Sequence, residues 1–163
     1  MIYPLTKLIL KSTMLKQFCG GENEDDCKKI INDLNARHVY SILDYSVEGL
    51  ENEVSFDETV SRTINLIKLN TNNNFPFIVF KPTGIGRFDL YDKISSNTNL
   101  SDKENIEWSK VKFRYDAICN AALANNVSVL IDAEESWIQS SIDEIYENLI
   151  LKYNFTLKLS KVI

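Results

Sequence analysis

The stretch VSVLIDAEESWIQSSIDEIY, residues 127–146, joins a short apolar segment to a run of carboxylates. The segment up to Ile131 is rich in β-forming residues and is typical of a strand that a parallel sheet buries on both faces. Asp132, Ala133, Glu134 and Glu135 follow it directly. An ionised carboxylate at the end of a buried strand needs a partner or a function. Alternatively, the strand simply ends there and Asp132 caps the next helix, and this stretch alone leaves the two interpretations evenly balanced.

Two other apolar segments also end in a charged residue. HVYSILDY, residues 38–45, is predicted to be a strand ending at Asp44, and FPFIVFK, residues 75–81, a strand ending at Lys81. Helical periodicity lies before, between and after the three strands. This alternation predicts an α/β fold with parallel strands and right-handed crossovers.

Several further features support this series of elements. Ser55 with Glu58 and Ser101 with Glu104 have the spacing of capping boxes, which begin helices. Apolar stripes are predicted to face the core at Trp108, Val111, Tyr115, Ile118 and Ala122, and again at Ile138, Ile142, Ile145 and Leu149.

The charged strand ends predict a shared site. Parallel strands bring their carboxyl ends to one edge of the sheet, where α/β folds place active sites. By strand alternation, Asp44, Lys81 and Asp132 have matching parity, so we expect them to converge on one pocket rim. The alternative is an ion-pair network that only neutralises buried charges. The pattern does not name a reaction, because such a lysine could form a Schiff base, hold a substrate carboxylate or pair with the aspartates.

Composition narrows the class of protein. The chain has 163 residues, a net charge of -5 and 44% hydrophobic residues, which suits one domain with a sizeable core. The acidic balance, without a Lys/Arg cluster, argues against nucleic-acid binding, and no apolar run is long enough to span a membrane. We see no signal-peptide cleavage pattern. The three cysteines lack metal or disulfide spacing, so we expect free thiols and a cytoplasmic protein, and the single histidine, His38, excludes a multi-histidine metal site.

Other residues are weaker candidates. Arg87 could bind an anion, although a solvated loop arginine is the simpler interpretation. Trp108 and Trp137 are predicted to lie in the core. Glu48 and Glu134 follow their strands closely and could line the same pocket, with solvent exposure as the alternative.

Four motifs together resemble the proline dehydrogenase family. They are QFCGGE (17–22), SILDYSVEG (41–49), FKPTGIGR (80–87) and LIDAEESWIQ (130–139), in that order. The resemblance extends from Gln17 to about Asn154. It implies an FAD-dependent (β/α)8 barrel that oxidises L-proline to 1-pyrroline-5-carboxylate, the first step towards glutamate, and passes the electrons to a quinone. It also implies peripheral membrane association of the complete enzyme.

The resemblance assigns roles to individual residues. Lys81 matches the lysine that helps to hold the proline carboxylate, and Asp132 matches the active-site aspartate near that lysine. Ala133 matches a position whose backbone lies against the flavin. Asp44 matches an acidic residue with a supporting role. The flavin performs the hydride chemistry, and the protein supplies position and electrostatics.

The chain also departs from the family pattern. It contains no adjacent arginine pair, which the family uses to clamp the substrate carboxylate, and only three strands are visible where a barrel of about 250 residues has eight. We therefore expect one domain, a partial barrel that is inactive alone, with an N-terminal helical segment (1–37), βα units (38–150) and a divergent tail (151–163). Two alternatives remain open: a Schiff-base aldolase or lyase on a similar barrel, and a non-catalytic barrel remnant whose sheet edge binds a partner.

Overall fold

The computed structural model describes residues 3–21, 24–44, 47, 49–69 and 77–155. Within them the chain forms two compact units, Met1–Ser41 and Ile42–Ile163. The first unit contains helices α1 (Tyr3–Ser12), α2 (Met14–Phe18) and α3 (Glu24–Asn35). All three lie inside the segment 1–37, where the sequence indicates helix.

The second unit alternates strands and helices. Its elements are β1 (Leu43–Asp44), α4 (Glu53–Leu69), β2 (Phe77–Phe80), α5 (Phe88–Ser95), α6 (Asp102–Asn125), β3 (Ser128–Ile131) and α7 (Gln139–Ile150), with a 3-10 turn at Pro82–Gly84 and a π-helical segment at Leu151–Phe155. The sheet has the order β1-β2-β3, and both pairings are parallel. The predicted α/β fold with parallel strands is therefore confirmed.

The two faces of the sheet differ in burial. Ile78, Phe80 and Val129 are buried beneath α4 and α6, whereas Val79 is half-buried and Leu130, on the other side, is 39% exposed. The expectation that the strand before Asp132 is covered on both faces was wrong. Helices α4 and α6 pack on one face, so the burial alternates along β2 and β3 with the period of two that a one-sided strand has.

Helix α6 carries the core as predicted. Ser101 caps it: the side chain accepts the Glu104 backbone N–H while the Glu104 carboxylate accepts the Ser101 N–H, so the capping box is confirmed. Its predicted stripe is buried, and so is the stripe that runs through α7. The Tyr115 ring meets Phe80 edge to face at 5.3 Å between centroids, which joins α6 to the buried face of β2.

Three sequence predictions were wrong in detail, and one helix was missed. Helix α4 begins at Glu53, where the Ser55 N–H donates to the Asn52 side chain at 2.9 Å, so Ser55 does not cap it. The predicted strand from His38 is reduced to two residues, and His38 itself has φ of 60°, a left-handed turn. Trp137 is 60% exposed and is not part of the core. Helix α5 was not predicted, because its eight residues carry too few apolar repeats to mark a period.

Candidate functional site

Lys81 and Asp132 form an ion pair at the carboxyl edge of the sheet. The register pairs Phe80 with Ile131, so the next residue of each strand falls in the same row. The Asp132 backbone N–H donates to the Phe80 carbonyl at 3.1 Å, which extends the ladder by one bond. The Lys81 Nζ lies 3.5 Å from the Asp132 Oδ2, and the side chains are 20% and 43% exposed. The structure thus brings together two of the predicted site residues, accessible to solvent.

Asp44 lies on β1, the strand next to β2, and nearer than Lys81 to the amino ends of the strands. Its backbone pairs with Val79, two residues before Lys81, so it is offset from the Lys81–Asp132 row by about 7 Å along the strands. The side chain of Asp44 lies outside the described part of the structure, as does Glu48. Convergence of Asp44 with the pair therefore stays a prediction.

The Glu134 side chain does not point into solvent but forms hydrogen bonds with the turn that follows Lys81. Its carboxylate accepts the Thr83 backbone N–H at 2.8 Å and the Thr83 hydroxyl at 2.6 Å. Thr83 is buried. Ala133, between Asp132 and Glu134, is exposed, as is Glu135. The loop after β3 is therefore tied at Glu134 while its neighbours face outward.

The turn after Lys81 is held by further contacts. The Tyr91 hydroxyl donates to the Pro82 carbonyl at 3.0 Å and lies 3.4 Å from the Tyr115 hydroxyl. Burial raises the pKa of Tyr91 well above its usual value, so the hydroxyl stays protonated and remains a donor. A Cβ on Gly84 would lie 2.4 Å from the Val47 carbonyl oxygen, a contact that only glycine permits. The turn is thus packed against the loops after β1 and β3.

Arg87 is neither a solvated arginine nor an open anion site. Its guanidinium contacts Glu107 at 2.9 Å and Asp89 at 3.2 Å, with Glu104 at 4.0 Å. The hydrogen bond to Glu107 is the main cause of the raised pKa of Arg87. The Arg87 guanidinium is thus already paired with these carboxylates, and it connects the start of α5 to α6.

Arg114 is a buried residue that the sequence analysis missed. It is 4% exposed and pairs with Asp57 and Glu53, both at 2.8 Å, while its Nη1 donates to the Ile85 carbonyl at 3.3 Å. Arginine is rarely buried without such partners. The signal in the sequence was its position in α6, one residue before Tyr115 and three after Val111, beside the apolar stripe.

Thr83 and Tyr91 were also missed. Thr83 stands inside the FKPTGIGR motif, where the sequence indicated only a loop, and its contact with Glu134 spans 51 positions. Contacts between residues so far apart leave no local pattern. Across the described residues, no helix is long and apolar enough to cross a membrane, and no group of three or more His, Cys, Asp or Glu side chains could hold a metal ion.

The fold and site define an α/β protein with a charged pair at the carboxyl edge of a parallel sheet. The family model described as proline dehydrogenase matches residues 27–159, a range that includes Asp44, Lys81, Asp132 and Ala133. The chain belongs to the proline dehydrogenase family, and the resemblance seen in its motifs is confirmed.

The chain is similar to individual curated proteins. The carbapenem antibiotics biosynthesis protein CarD of Pectobacterium carotovorum subsp. carotovorum is 28% identical over 138 residues, covering 84% of this chain and 37% of the relative. Proline dehydrogenase 1, mitochondrial, of Arabidopsis thaliana is 25% identical over 185 residues, covering 90% of this chain and 37% of the relative. The chain thus spans a little over a third of the length of these curated relatives.

A solved structure shares the fold. Proline Utilization A (PutA) from Corynebacterium freiburgense superposes with a TM-score of 0.59 over 82% of this chain, which corresponds to 13% of that protein, at 17% sequence identity. The similarity supports the α/β arrangement of strands and helices described above.

Proposed function

We propose that this chain supplies the carboxylate-binding edge of a proline dehydrogenase site, where L-proline is oxidised to 1-pyrroline-5-carboxylate. The observation that carries the proposal is the Lys81–Asp132 ion pair, 3.5 Å across, at the strand ends of the two family motifs FKPTGIGR and LIDAEESWIQ. Family membership supplies the reaction class, an oxidation.

The charges of the pair suit an amino-acid zwitterion. Lys81 presents a cation to the substrate carboxylate, and Asp132 offsets that cation so that the pair itself carries no net charge. A lysine head group approaches a carboxylate as a point charge with rotatable donors, which tolerates several ring poses. Asp44, at the end of the neighbouring strand, is proposed to add a supporting negative charge.

The exposed residues beside the pair suit the ring end of FAD. Ala133 is exposed and its side chain is too small to block a ring from lying against its backbone, and Leu130 presents a partly exposed apolar side chain on the open face of the sheet. We propose that Ala133 contacts the flavin and that Lys81 and Asp132 orient the substrate beside it. FAD, when bound, supplies the hydride acceptor. A quinone as the final acceptor, with peripheral contact of the complete enzyme to a membrane, is proposed from the family alone.

The strands and crossovers fit part of a (β/α)8 barrel. Three parallel strands in sequential order have the order of consecutive βα units; among the residues that the structure describes, a single helix crosses from β1 to β2 and two cross from β2 to β3. We propose that the open face carrying Val79 and Leu130 is the barrel interior, and that residues 1–163 form one domain with a helical segment at 1–37, βα units at 38–150 and a distinct tail at 151–163.

The proposal is tested by binding of proline without any flavin. In an amide-resolved NMR titration of the full chain, L-proline should shift the backbone signals of Lys81 and Asp132. Pyrrolidine, which has the ring and the amine but no carboxylate, should leave the Lys81 signal in place. Equal effects of the two compounds, or no effect of proline, would refute a carboxylate site at Lys81.

A second readout addresses FAD. Flavin fluorescence should be quenched on adding the chain, and Ala133→Leu should weaken that quenching because the larger aliphatic side chain occupies the proposed flavin surface. Borohydride reduction in the presence of a keto acid or aldehyde, without proline, provides a further check, because a Schiff base on Lys81 needs a carbonyl substrate. Covalent trapping of a substrate on Lys81 would favour the aldolase chemistry over proline oxidation.

A further inference from the structure

The turn after β2 and the loop after β3 are joined by one two-pronged contact. Both oxygens of the Glu134 carboxylate accept hydrogen bonds from a single residue, Thr83, at 2.8 Å from its backbone N–H and 2.6 Å from its hydroxyl. Because the Thr83 side chain is buried, this contact is shielded from competing water more than a surface bond is.

The contact lies at matched positions beside the ion pair. Thr83 is two residues after Lys81, and Glu134 is two residues after Asp132. Pro82 is the only residue between Lys81 and Thr83, and its ring fixes φ. A displacement of Thr83 therefore also moves Lys81. The segments 81–83 and 132–134 are thus joined at both ends: by the β2–β3 pairing at one end and by the Thr83–Glu134 contact at the other. Lys81 and Asp132 lie between these two connections.

Other contacts hold the turn from the remaining sides. Tyr91 donates to the Pro82 carbonyl, and the Val47 carbonyl lies against Gly84. These contacts fix the turn to α5 and to the loop after β1. The bond to Glu134 ties it to the loop that carries Asp132.

We propose that Glu134, acting through Thr83, is a positioning residue that sets the separation of Lys81 from Asp132. The inference rests on the proposed function, since the separation matters for catalysis only if the pair is the substrate-binding edge. The carboxylate is suited to the task because it offers two acceptors to two donors. A glutamine in its place is neutral: its NH2 can donate to the Thr83 hydroxyl oxygen and its amide oxygen can accept the Thr83 N–H, but both bonds lose the charge assistance that the carboxylate gives them.

The test measures the reactivity of Lys81 directly, with no substrate. The full chain is treated with limiting acetic anhydride, and acetylation of Lys81 is quantified by peptide mass spectrometry relative to Lys112, an exposed lysine of α6. Glu134→Gln and Thr83→Val should each raise the Lys81 rate by about fivefold, the effect of losing a hydrogen bond or its charge assistance. Thr83→Ser, which keeps both donors, should restore the wild-type rate.

Glu135→Gln is the matched control, because it makes the same chemical change at the adjacent, exposed residue. Glu135→Gln should leave the rate of Lys81 acetylation unchanged. Wild-type rates in both Glu134→Gln and Thr83→Val, with circular dichroism showing folded protein, would overturn the inference.

A measurement on the wild-type chain keeps the test decisive if a variant fails to fold. The Thr83 amide hydrogen should exchange with solvent at least tenfold more slowly than an unprotected amide, because it is bonded to Glu134 inside the turn. Fast exchange at Thr83 would overturn the inference without any substitution. Lys81 reactivity that responds to Glu134 while proline does not bind would retain the positioning contact and reject the proposed function.

Discussion

The Lys81 ammonium lies 3.5 Å from the Asp132 carboxylate, longer than the roughly 2.8 Å of a tight charge-assisted hydrogen bond. Both side chains also reach solvent. A buried pair would lose about 3–5 kcal/mol on removal of one partner, whereas an exposed pair contributes about 0–1 kcal/mol. The pair therefore contributes little to folding, and the Lys81 side chain lies where solvent can reach it.

Replacing Lys81 should separate binding from stability. Lys81→Met should weaken binding of L-proline about tenfold or more, because a charged hydrogen bond to the carboxylate is lost. The free energy of unfolding should change by less than about 1 kcal/mol. Calorimetric titration and urea denaturation measure the two effects. Lys112→Met is the control and should alter neither, and a Lys81→Met protein with unchanged affinity would remove Lys81 from the site.

Replacing Arg114 should have the opposite profile. Arg114→Met strips Asp57 and the Ile85 carbonyl of the guanidinium, and we expect the free energy of unfolding to fall by about 2–3 kcal/mol. The comparison is Lys110→Met, which removes a half-exposed partner of the same Glu53 and should cost about 0–1 kcal/mol. Urea denaturation measures the free energy of unfolding of both variants. Equal losses in the two variants would show that the burial of Arg114 does not determine its contribution to stability.

Gly84 should not tolerate a methyl group. In Gly84→Ala the new Cβ would meet the Val47 carbonyl 2.4 Å away, and because backbone cannot rotate aside, we expect a loss of about 2 kcal/mol. At Gly20 the nearest atom is the Cys27 Sγ at 3.3 Å, a side-chain atom farther away than the backbone atom at Gly84, so Gly20→Ala should change stability by about 0.5 kcal/mol or less. Thermal unfolding monitored by circular dichroism compares them, and a Gly84→Ala protein as stable as wild type would contradict the close contact.

Glu104 should give the protein an acid-sensitive contribution. Hydrogen bonds from Lys93, at 2.5 Å, and from Ser101 lower the pKa of Glu104 from 4.5 to about 2. Because the folded-state pKa is the lower one, the ionised group stabilises the fold fully above pH 4.5, and this contribution is lost as the pH falls towards 2.

The measurement is the difference in melting temperature between wild type and Glu104→Gln, followed from neutral pH down to acid. It should be largest at neutral pH and shrink steadily below the unfolded pKa. Repeating the comparison in a Lys93→Met background should flatten the curve, since Lys93 is the largest cause of the shift. A pH-independent difference in the original background would reject the assignment.

The sequence predicts most of what is local or periodic. The Ser101 capping box depends on residues three apart, and the buried stripe from Trp108 to Ala122 repeats with the helix, so both could be predicted. The meeting of Lys81 with Asp132 followed from strand ends alone, because parallel pairing places successive strand ends together. Trp137 misled because it stands just before α7 and its exposed side is set by the loop geometry.

The contacts that fix the site depend on tertiary packing instead. Glu134 with Thr83, and Arg114 with Asp57, join residues more than fifty positions apart, and neither member alone distinguishes its role from that of a solvated residue. Asn52 displaced Ser55 as the cap of α4 because either residue can accept a backbone N–H, and the entry of the chain decides between them.

The alternating burial of β2 and β3 separates two kinds of selective pressure. Phe80 and Val129 are buried against the helices, so their side chains are constrained by core packing. Val79 and Leu130 lie on the other face of the sheet and do not pack against α4 or α6. In the proposed barrel these two side chains would line the interior, so selection on them would act through what that interior holds and not through packing against α4 or α6. Under the proposed function, relatives with different substrates should diverge first at those two positions, and a designer seeking a new ring size would begin there.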